Sequence, residues 1–352
     1  MTEPVGRSGG SRLIGIEALR GVAATAVVLS HAAGHVDKAF GAPMLMTFFR
    51  AGHAGVDLFF AVSGFIIFFV HRGDIGRPDR LRHYLGRRFN RVLPLYWTAL
   101  AVTVAMIVAG GHALPAPVQL LWFAALLPTV ADPLLGIAWT LQFEMVFYAV
   151  FAVLIASRRA GAALLTAWLC WIIATAAGYW SGAIPAALCG AFGFEFFMGM
   201  AAAALLSRGR VPAPRLLAAL ALAAFAAALV LESAGILGGF GVAARFAYGI
   251  PAALLILGIS AAEQQHALSI PRWLRVLGGA SYSIYLFQFV FIGVVWQTLI
   301  ALSLERRVSH LVLFLLLAAA AVIGGLMTAR LVEQPLLQAM RGPRRGEIPQ
   351  QA

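Results

Sequence analysis

Long apolar runs alternate with short polar segments along almost the whole chain. A helix that crosses the hydrocarbon core of a membrane needs about 20 mostly apolar residues, and ten runs meet that requirement. They lie near residues 13–33, 54–71, 92–110, 137–156, 161–180, 185–206, 213–232, 244–262, 280–302 and 309–330. The pattern predicts an all-α polytopic membrane helix bundle of about ten transmembrane helices.

A further apolar segment, residues 117–130, reads PVQLLWFAALLPTV and is shorter than a span. Prolines frame it, and a crossing here would move every later basic cluster to the opposite side of the membrane. We therefore expect a short re-entrant or interfacial helix, with an eleventh span as the alternative.

The composition also indicates an integral membrane protein. Of the 352 residues, 61% are hydrophobic and 11% are charged, whereas about a quarter of the residues in soluble domains are charged. The net charge is +12. If both termini lie on one side, five basic residues fall in loops on the other side and one falls inside a span, which leaves 20 of the 26 on the terminal side. This is the positive-inside pattern. It predicts a multi-pass protein of the inner (plasma) membrane with both termini in the cytoplasm, rather than a nucleic-acid-binding protein.

No soluble region and no convincing internal repeat divides the chain. We expect one transmembrane domain over residues 1–340 and a short, disordered cytoplasmic tail over residues 341–352. The two cysteines, Cys170 and Cys189, are too few for a disulfide framework or a metal site. No metal is therefore expected.

Three ionisable side chains interrupt the first span, where residues 16–31 read IEALRGVAATAVVLSH. Such groups cost a few kcal/mol each at membrane depth and are functional by default. Arg20 and His31 share nearly the same helix azimuth and lie roughly 16 Å apart along the axis, and Glu17 shares the side of Arg20. We predict a polar face directed into the bundle. A structural Glu17–Arg20 pair with a helix-ending His31 is the alternative.

A carboxylate lies at matching depth on the fourth span, in WTLQFEMVFY at residues 139–148. Glu144 should lie about 10 Å below the outer edge of this span, similar to His31. An imidazole and a carboxylate at the same depth can form a general base and the group that orients it. His31 and Glu144 are therefore the candidate catalytic residues. For Glu144, the alternative is a buried carboxylate satisfied by a Trp, Gln or Tyr side chain.

The segment GHAGVDLFFAVSGF at residues 52–65 begins the second span. Its glycines, Gly55 and Gly64, should permit close helix packing. Asp57 and the deeper Ser63 are candidates for binding a polar acceptor. For Asp57, a helix N-terminal cap is an equally good interpretation.

Arginines mark the cytoplasmic mouth of the third span, where residues 87–97 read RRFNRVLPLYW. Arg87, Arg88 and Arg91 lie within about one helical turn of one another. Guanidinium groups suit a phosphorylated ligand such as a nucleotide-bearing cofactor. The alternative is that these arginines serve only to orient the chain in the membrane.

The ninth span carries polar side chains spaced by three to four residues, namely Ser281, Tyr282, Tyr285 and Gln288. Another intramembrane carboxylate, Glu195, lies on the sixth span. Glu333, at the cytoplasmic end of the tenth span, is expected to have a structural role beside Arg330.

These positions suit a transfer reaction in which a phosphorylated donor enters from the cytoplasm and the acceptor is reached from the other side. They also fit a proton-coupled secondary transporter, or a flippase of a small polar or glycolipid solute, because such proteins need buried ionisable groups as well. The residues alone leave both functions open.

The chain resembles the acyltransferase-3 membrane family, particularly short members such as the exopolysaccharide-production acetyltransferases. Seven segments match in family order: IEALRGVAATAVVLSH, GHAGVDLFFAVSGF, RRFNRVLPLYW, WTLQFEMVFY, EFFMGM, GASYSIYLFQF and VEQPL. The resemblance implies a membrane-bound O-acyltransferase with acetyl-CoA, or another acyl-CoA, as donor. The implied acceptor is a hydroxyl of a cell-envelope polysaccharide or of a lipid-linked sugar.

The resemblance also implies roles for individual residues. The family motif of arginine, ten residues and histidine matches Arg20 and His31. The basic motif of the third span matches Arg88 and Arg91, and the carboxylate that follows the tryptophan matches Glu144. His31 would deprotonate the acceptor, and the three arginines would bind the acyl-CoA phosphates.

At one position the chain departs from the family, because many members have histidine where this chain has Gln288. Glutamine donates and accepts hydrogen bonds but does not titrate. The complete set of candidate substrate-binding residues is Arg20, Glu17, Arg88, Arg91, Asp57, Ser63, Tyr282, Tyr285, Gln288 and Glu195.

Overall fold

A computed structural model of the protein describes residues 13–41, 43–179, 183–265 and 269–340. The described chain is all-α, 81% helical and without strands. The predicted tail over residues 341–352 lies outside the described residues. The α-helices are α1 (Ile14–Phe40), α2 (Pro43–Phe49), α3 (Gly55–His71), α4 (Leu81–Ala109), α5 (Pro117–Ala124), α6 (Ala138–Ala156), α7 (Arg158–Ala176), α8 (Ala186–Cys189), α9 (Gly193–Arg208), α10 (Pro214–Ser233), α11 (Val242–Gln264), α12 (Arg272–Ala301), α13 (His310–Thr328) and α14 (Gln334–Met340).

Ten helical segments of the described chain are long and apolar enough to cross a membrane, which confirms the predicted multi-pass bundle. The segment near 117–130 contains only the eight-residue α5. That helix is roughly 12 Å long, against a hydrocarbon core of about 30 Å. Hydrogen bonds from the Tyr96 hydroxyl to the Phe123 carbonyl (2.7 Å) and from the Trp97 indole to the Ala124 carbonyl (2.9 Å) hold it against α4.

Several helices extend beyond the predicted spans. α4 begins at Leu81 rather than near residue 92, and α12 begins at Arg272 rather than near residue 280. Arginine is a good helix former, so the helix continues through the basic segment that precedes the apolar run. As a result, the arginines at the mouth of the third span lie on a helix and have a fixed azimuth.

α1 and α12 approach each other until their backbones touch. A Cβ atom added to Gly278 would lie 2.1 Å from the carbonyl oxygen of Glu17, and one added to Gly21 would lie 2.7 Å from the amide nitrogen of Gly278. Only glycine fits at such a crossing. The crossing brings the polar face of α1 against the polar residues of α12.

Glycines also bring α3 close to its neighbours, as predicted. A Cβ on Gly55 would lie 2.4 Å from the carbonyl oxygen of Ala23 on α1, and one on Gly64 would lie 2.1 Å from that of Phe196 on α9. The close packing predicted for these two glycines is confirmed. α3 therefore lies between α1 and α9.

Candidate functional site

A small cavity of about 120 Å³ lies inside the bundle, between α1, α3, α4, α6 and α12. We call it the inner cavity. Seven of the predicted site residues line it: Arg20, Ser63, Arg88, Arg91, Glu144, Tyr282 and Tyr285. The sequence predicts these residues on, or at the start of, five different spans, and the fold brings their side chains to one cavity.

A larger cavity of about 700 Å³, the vestibule, adjoins the inner cavity between the start of α4 and α14. The two cavities share Arg20, Arg88 and Arg91, and the vestibule adds Arg82 and Arg87. The inner cavity is therefore reached through a passage lined by guanidinium groups, which suits a ligand with several phosphates.

The three shared arginines differ in their partners. Arg91 donates a hydrogen bond to Glu333 (2.7 Å), and Arg88 donates to the ring of His71 (3.2 Å). Arg20 is half-buried and makes no ion pair with a carboxylate among the residues that the structure describes. Arg20 borders both cavities, so its guanidinium is available to an anion that enters through the vestibule.

The expected association of Glu333 with Arg330 is wrong. Glu333 is buried and accepts hydrogen bonds from Arg91 and from the Ser283 hydroxyl (2.6 Å), whereas Arg330 is exposed. Glu333 is the last residue of a π-helix over Ala329–Glu333, and the wider turn of a π-helix gives its side chains a different azimuth from that in an α-helix.

Glu144 faces the inner cavity, but its hydrogen-bond partners are not those expected. Its Oε1 atom accepts hydrogen bonds from the Ser63 hydroxyl (3.0 Å) and from the Tyr148 hydroxyl. No hydrogen bond joins it to His31 in the part of the chain that the structure describes. The geometry therefore does not support the prediction that Glu144 orients His31. The Tyr148 partner agrees with the alternative, a buried carboxylate satisfied by a tyrosine.

The partner of His31 is Gln288, whose Oε1 atom lies 2.9 Å from the imidazole Nδ1 atom. The Gln288 amide nitrogen donates to the carbonyl oxygen of Tyr285 (2.8 Å). Because that carbonyl only accepts, the amide must present its oxygen to His31, and the Nδ1 atom must carry a proton. In the neutral ring the Nε2 atom then holds the lone pair. His31 and Gln288 line neither cavity. The Gln288 amide reaches the backbone carbonyl of Tyr285, whose side chain lines the inner cavity, so His31 is joined to the cavity wall through Gln288.

Two of the predicted substrate-binding residues, Asp57 and Glu195, line neither cavity. Both pair with Arg245: Asp57 accepts a hydrogen bond from it, and the Glu195 Oε1 atom lies 3.5 Å from its guanidinium. All three side chains are fully buried, and we call them the sealed cluster. Their assignment to substrate binding stays a prediction, and the structure provides a structural partner for each carboxylate.

Arg245 is the residue of this cluster that the sequence analysis missed. Arg245 is one of the five basic residues that the charge pattern assigns to the outer loops. In the structure it lies in the first turn of α11, and its guanidinium lies 4.0 Å from the Phe192 ring centre. Its position as the second residue of the predicted span 244–262 was the available signal. Glu17, one turn before Arg20 on α1, also lines neither cavity.

Comparisons with known proteins agree with the resemblance. The family model Acyl_transf_3, described as an acyltransferase domain, matches residues 13–330. The chain is 31% identical over 313 residues to the "Exopolysaccharide production protein ExoZ" of Rhizobium meliloti (strain 1021), an alignment that covers 84% of this chain and 93% of that protein. No solved structure matches the chain.

Proposed function

The chain belongs to the acyltransferase-3 family and is a membrane acyltransferase, and we propose that it O-acetylates an exopolysaccharide or its lipid-linked precursor. The donor is acetyl-CoA, bound from the cytoplasm, and the acceptor is a sugar hydroxyl reached from the outer side. The protein resides in the inner membrane with both termini in the cytoplasm. Family membership favours this transfer over the transporter alternative, and the name of the relative supports the acceptor class.

The observation that carries the proposal is the arginine-lined passage. Arg20, Arg88 and Arg91 line both cavities, and among these three only Arg91 pairs with a carboxylate in the described chain. Coenzyme A has phosphates at the end of a long arm that carries the thioester. The vestibule holds the phosphates, and the arm extends into the inner cavity. The small volume there, about 120 Å³, favours a short acyl group such as acetyl.

His31 acts as the general base through its Nε2 atom. It accepts the proton of the acceptor hydroxyl, whose oxygen attacks the thioester carbonyl carbon. The carbon–sulfur bond then breaks, and the departing thiolate takes the proton from the imidazolium. Arg20 and His31 are roughly 16 Å apart along α1, which is about half the hydrocarbon thickness, so the arm spans this distance.

Glu144 contributes from the cavity wall rather than by orienting His31. It holds the Ser63 hydroxyl and provides negative charge beside the cationic Arg20. Tyr282 and Tyr285 complete the wall on the α12 side. Asp57 and Glu195 do not belong to the proposed site, because Arg245 pairs with both of them.

Purified protein in detergent with radiolabelled acetyl-CoA and deacetylated exopolysaccharide tests the proposal directly. We expect label to move to the polysaccharide, and we expect acetyl-CoA to raise the melting temperature, because ligands that bind only the folded state stabilise it. A protein that neither transfers label nor responds to any acyl-CoA would contradict the proposal.

Matched variants make the experiment specific. Arg20→Ala should abolish the thermal response to acetyl-CoA, whereas Arg330→Ala should leave it unchanged, since Arg330 is exposed and lines neither cavity. Uptake of a solute into proteoliposomes without acyl transfer would favour the transporter alternative.

A further inference from the structure

His71 is a buried imidazole that the proposed reaction does not use. It is the last residue of α3 and is 2% exposed. Both ring nitrogens have partners: the Nδ1 atom lies 2.8 Å from an Asp74 carboxylate oxygen, and the Nε2 atom lies 3.2 Å from the Arg88 guanidinium. The ring therefore joins a carboxylate to one of the arginines of the passage.

The chemistry of the partners assigns the ring protons. A guanidinium only donates hydrogen bonds, so the Nε2 atom of His71 must accept from Arg88. A neutral ring then has its proton on the Nδ1 atom, which donates to Asp74. The arrangement resembles the carboxylate–histidine pairs that orient metal ligands, with a guanidinium in place of the metal.

The surroundings hold the imidazole in place. Its ring meets the ring of Tyr84 edge-on at 4.9 Å between centres, and Tyr84 is fully buried. The Tyr84 hydroxyl donates to the carbonyl oxygen of Tyr148 (3.2 Å), and the Arg88 guanidinium lies 5.9 Å from the Tyr148 ring centre. α3, α4 and α6 thus fix His71 and Arg88 together.

A neutral acceptor has a particular advantage beside an anion-binding arginine. Arg91 is oriented by Glu333, whose negative charge competes with a phosphate for the same guanidinium. An imidazole can orient Arg88 without cancelling its charge, and it leaves the other N–H groups for a bidentate bond. The Asp74 carboxylate lies behind the ring, on the far side from Arg88.

We propose that His71 is a positioning residue for the acyl donor, one that holds the Arg88 guanidinium towards the donor's phosphates without touching the donor itself. The inference rests on the proposed function, because it assumes that Arg88 binds the anionic part of acyl-CoA. Neither the sequence motifs nor the family match assigns a role to His71.

The test compares His71→Phe, which keeps the ring and removes both nitrogens, with His71→Gln, whose Oε1 atom can take the place of Nε2. We expect His71→Phe to weaken acetyl-CoA binding and raise its KM about tenfold, in keeping with loss of a hydrogen bond to a charged group, with little change in kcat. His71→Gln should retain most of the affinity. His112→Ala, at an exposed position outside both cavities, is the control.

A double-mutant cycle with Arg88→Ala distinguishes an error in the proposed donor site from an error in the role of His71. If His71 acts through Arg88, then His71→Phe has no further effect on affinity once Arg88 is removed. If Arg88→Ala alone leaves acetyl-CoA affinity unchanged, the proposed donor site is wrong. If Arg88→Ala weakens binding but His71→Phe does not, or if the two effects add, the role of His71 is wrong.

Each variant is first checked by its melting temperature without ligand. Should His71→Phe fail to fold, Asp74→Ala decides, because Asp74 is partly exposed and lies at the helix end. Loss of its carboxylate frees the ring, so we expect acetyl-CoA affinity to fall several-fold. Unchanged affinity in Asp74→Ala would then overturn the proposal.

Discussion

Among the charged side chains of the described bundle, two groups differ in what they face. The inner cavity, whose charged lining residues are Arg20, Arg88, Arg91 and Glu144, opens through the vestibule. The sealed cluster of Asp57, Glu195 and Arg245 has no exposed side chain and lines neither cavity. Both groups consist of residue types that are rare in membrane spans.

The charge balance of the two groups is opposite. The inner cavity is lined by more guanidinium groups than carboxylates, and its arginines are half-buried. The sealed cluster has two carboxylates and a single guanidinium, all at 0% exposure. The cavity can therefore recruit an anion from outside, whereas the cluster can satisfy its charges only internally.

The difference teaches how intramembrane charges should be interpreted. An ionisable residue in a span is a functional candidate by default, but it can equally serve to join helices. Asp57 on α3, Glu195 on α9 and Arg245 on α11 join three helices in this way. The sealed cluster satisfies its charges internally, whereas Arg20 borders both cavities without a carboxylate partner among the described residues. This difference depends on the tertiary structure.

The largest expected effect is on the proposed acyl transfer. His31→Ala should lower kcat by roughly a hundredfold to ten-thousandfold, the range for a positioned general base, without a comparable loss of stability. The measurement is label transfer together with the melting temperature, with His112→Ala as control. A folded His31→Ala protein with full activity would remove His31 from the mechanism.

A second substitution should break the sealed cluster. Arg245→Leu leaves two buried carboxylates without a cation, and breaking a buried ion pair in this way costs about 3–5 kcal/mol. We expect a strongly lowered melting temperature and poor recovery from the membrane. If Arg245→Leu melts normally but no longer binds acetyl-CoA, the cluster belongs to the active site and the comparison fails.

Substitution of an arginine that lines the inner cavity should have the opposite effect, with loss of ligand affinity and little loss of stability. Arg20→Lys keeps the charge but loses the bidentate fork, so we expect acetyl-CoA affinity to fall by about tenfold, as for loss of a charge-assisted hydrogen bond. Its melting temperature without ligand should barely change. Isothermal titration with acetyl-CoA measures the affinity, and a lowered melting temperature with unchanged affinity would identify Arg20 as structural.

Much of the fold could be predicted from the sequence, because each span is a long apolar run and the interruptions are basic. The boundary of α4 was less predictable, since arginines after residue 80 suit a loop on a cytoplasmic face as well as a helix. A loop and a helix over these arginines give the same charge pattern along the sequence. Only packing against α6 and α12 distinguishes them.

The site was predicted less completely, for a geometrical reason. Helix rise gives the depth of a residue but not the azimuth of one helix relative to another. The sequence predicts His31 and Glu144 as polar residues inside spans, yet they contact different partners, Gln288 and Ser63. Glu333, which accepts a hydrogen bond from Arg91, lies in a π-helix, and no simple periodicity predicts such a turn.

The smallest expected effect sharpens the comparison most. The sealed cluster contains two carboxylates and one guanidinium, so we expect one of its carboxyl groups to carry a proton. Asp57 accepts a hydrogen bond from Arg245, whereas neither oxygen of Glu195 has a hydrogen-bond partner among the described residues. We therefore expect Glu195 to be the neutral member of the pair.

Glu195→Gln replaces a neutral acid by a neutral amide of the same shape, so the free energy of unfolding should change by less than the roughly 1 kcal/mol that is typical of a point substitution. Asp57→Asn removes the charge that Arg245 balances and forces the guanidinium to turn to Glu195. It should therefore cost at least about 1 kcal/mol. Chemical denaturation of the purified variants measures both values. Equal losses would mean that the two carboxylates share the guanidinium, and a loss confined to Glu195→Gln would assign the charge to Glu195 instead.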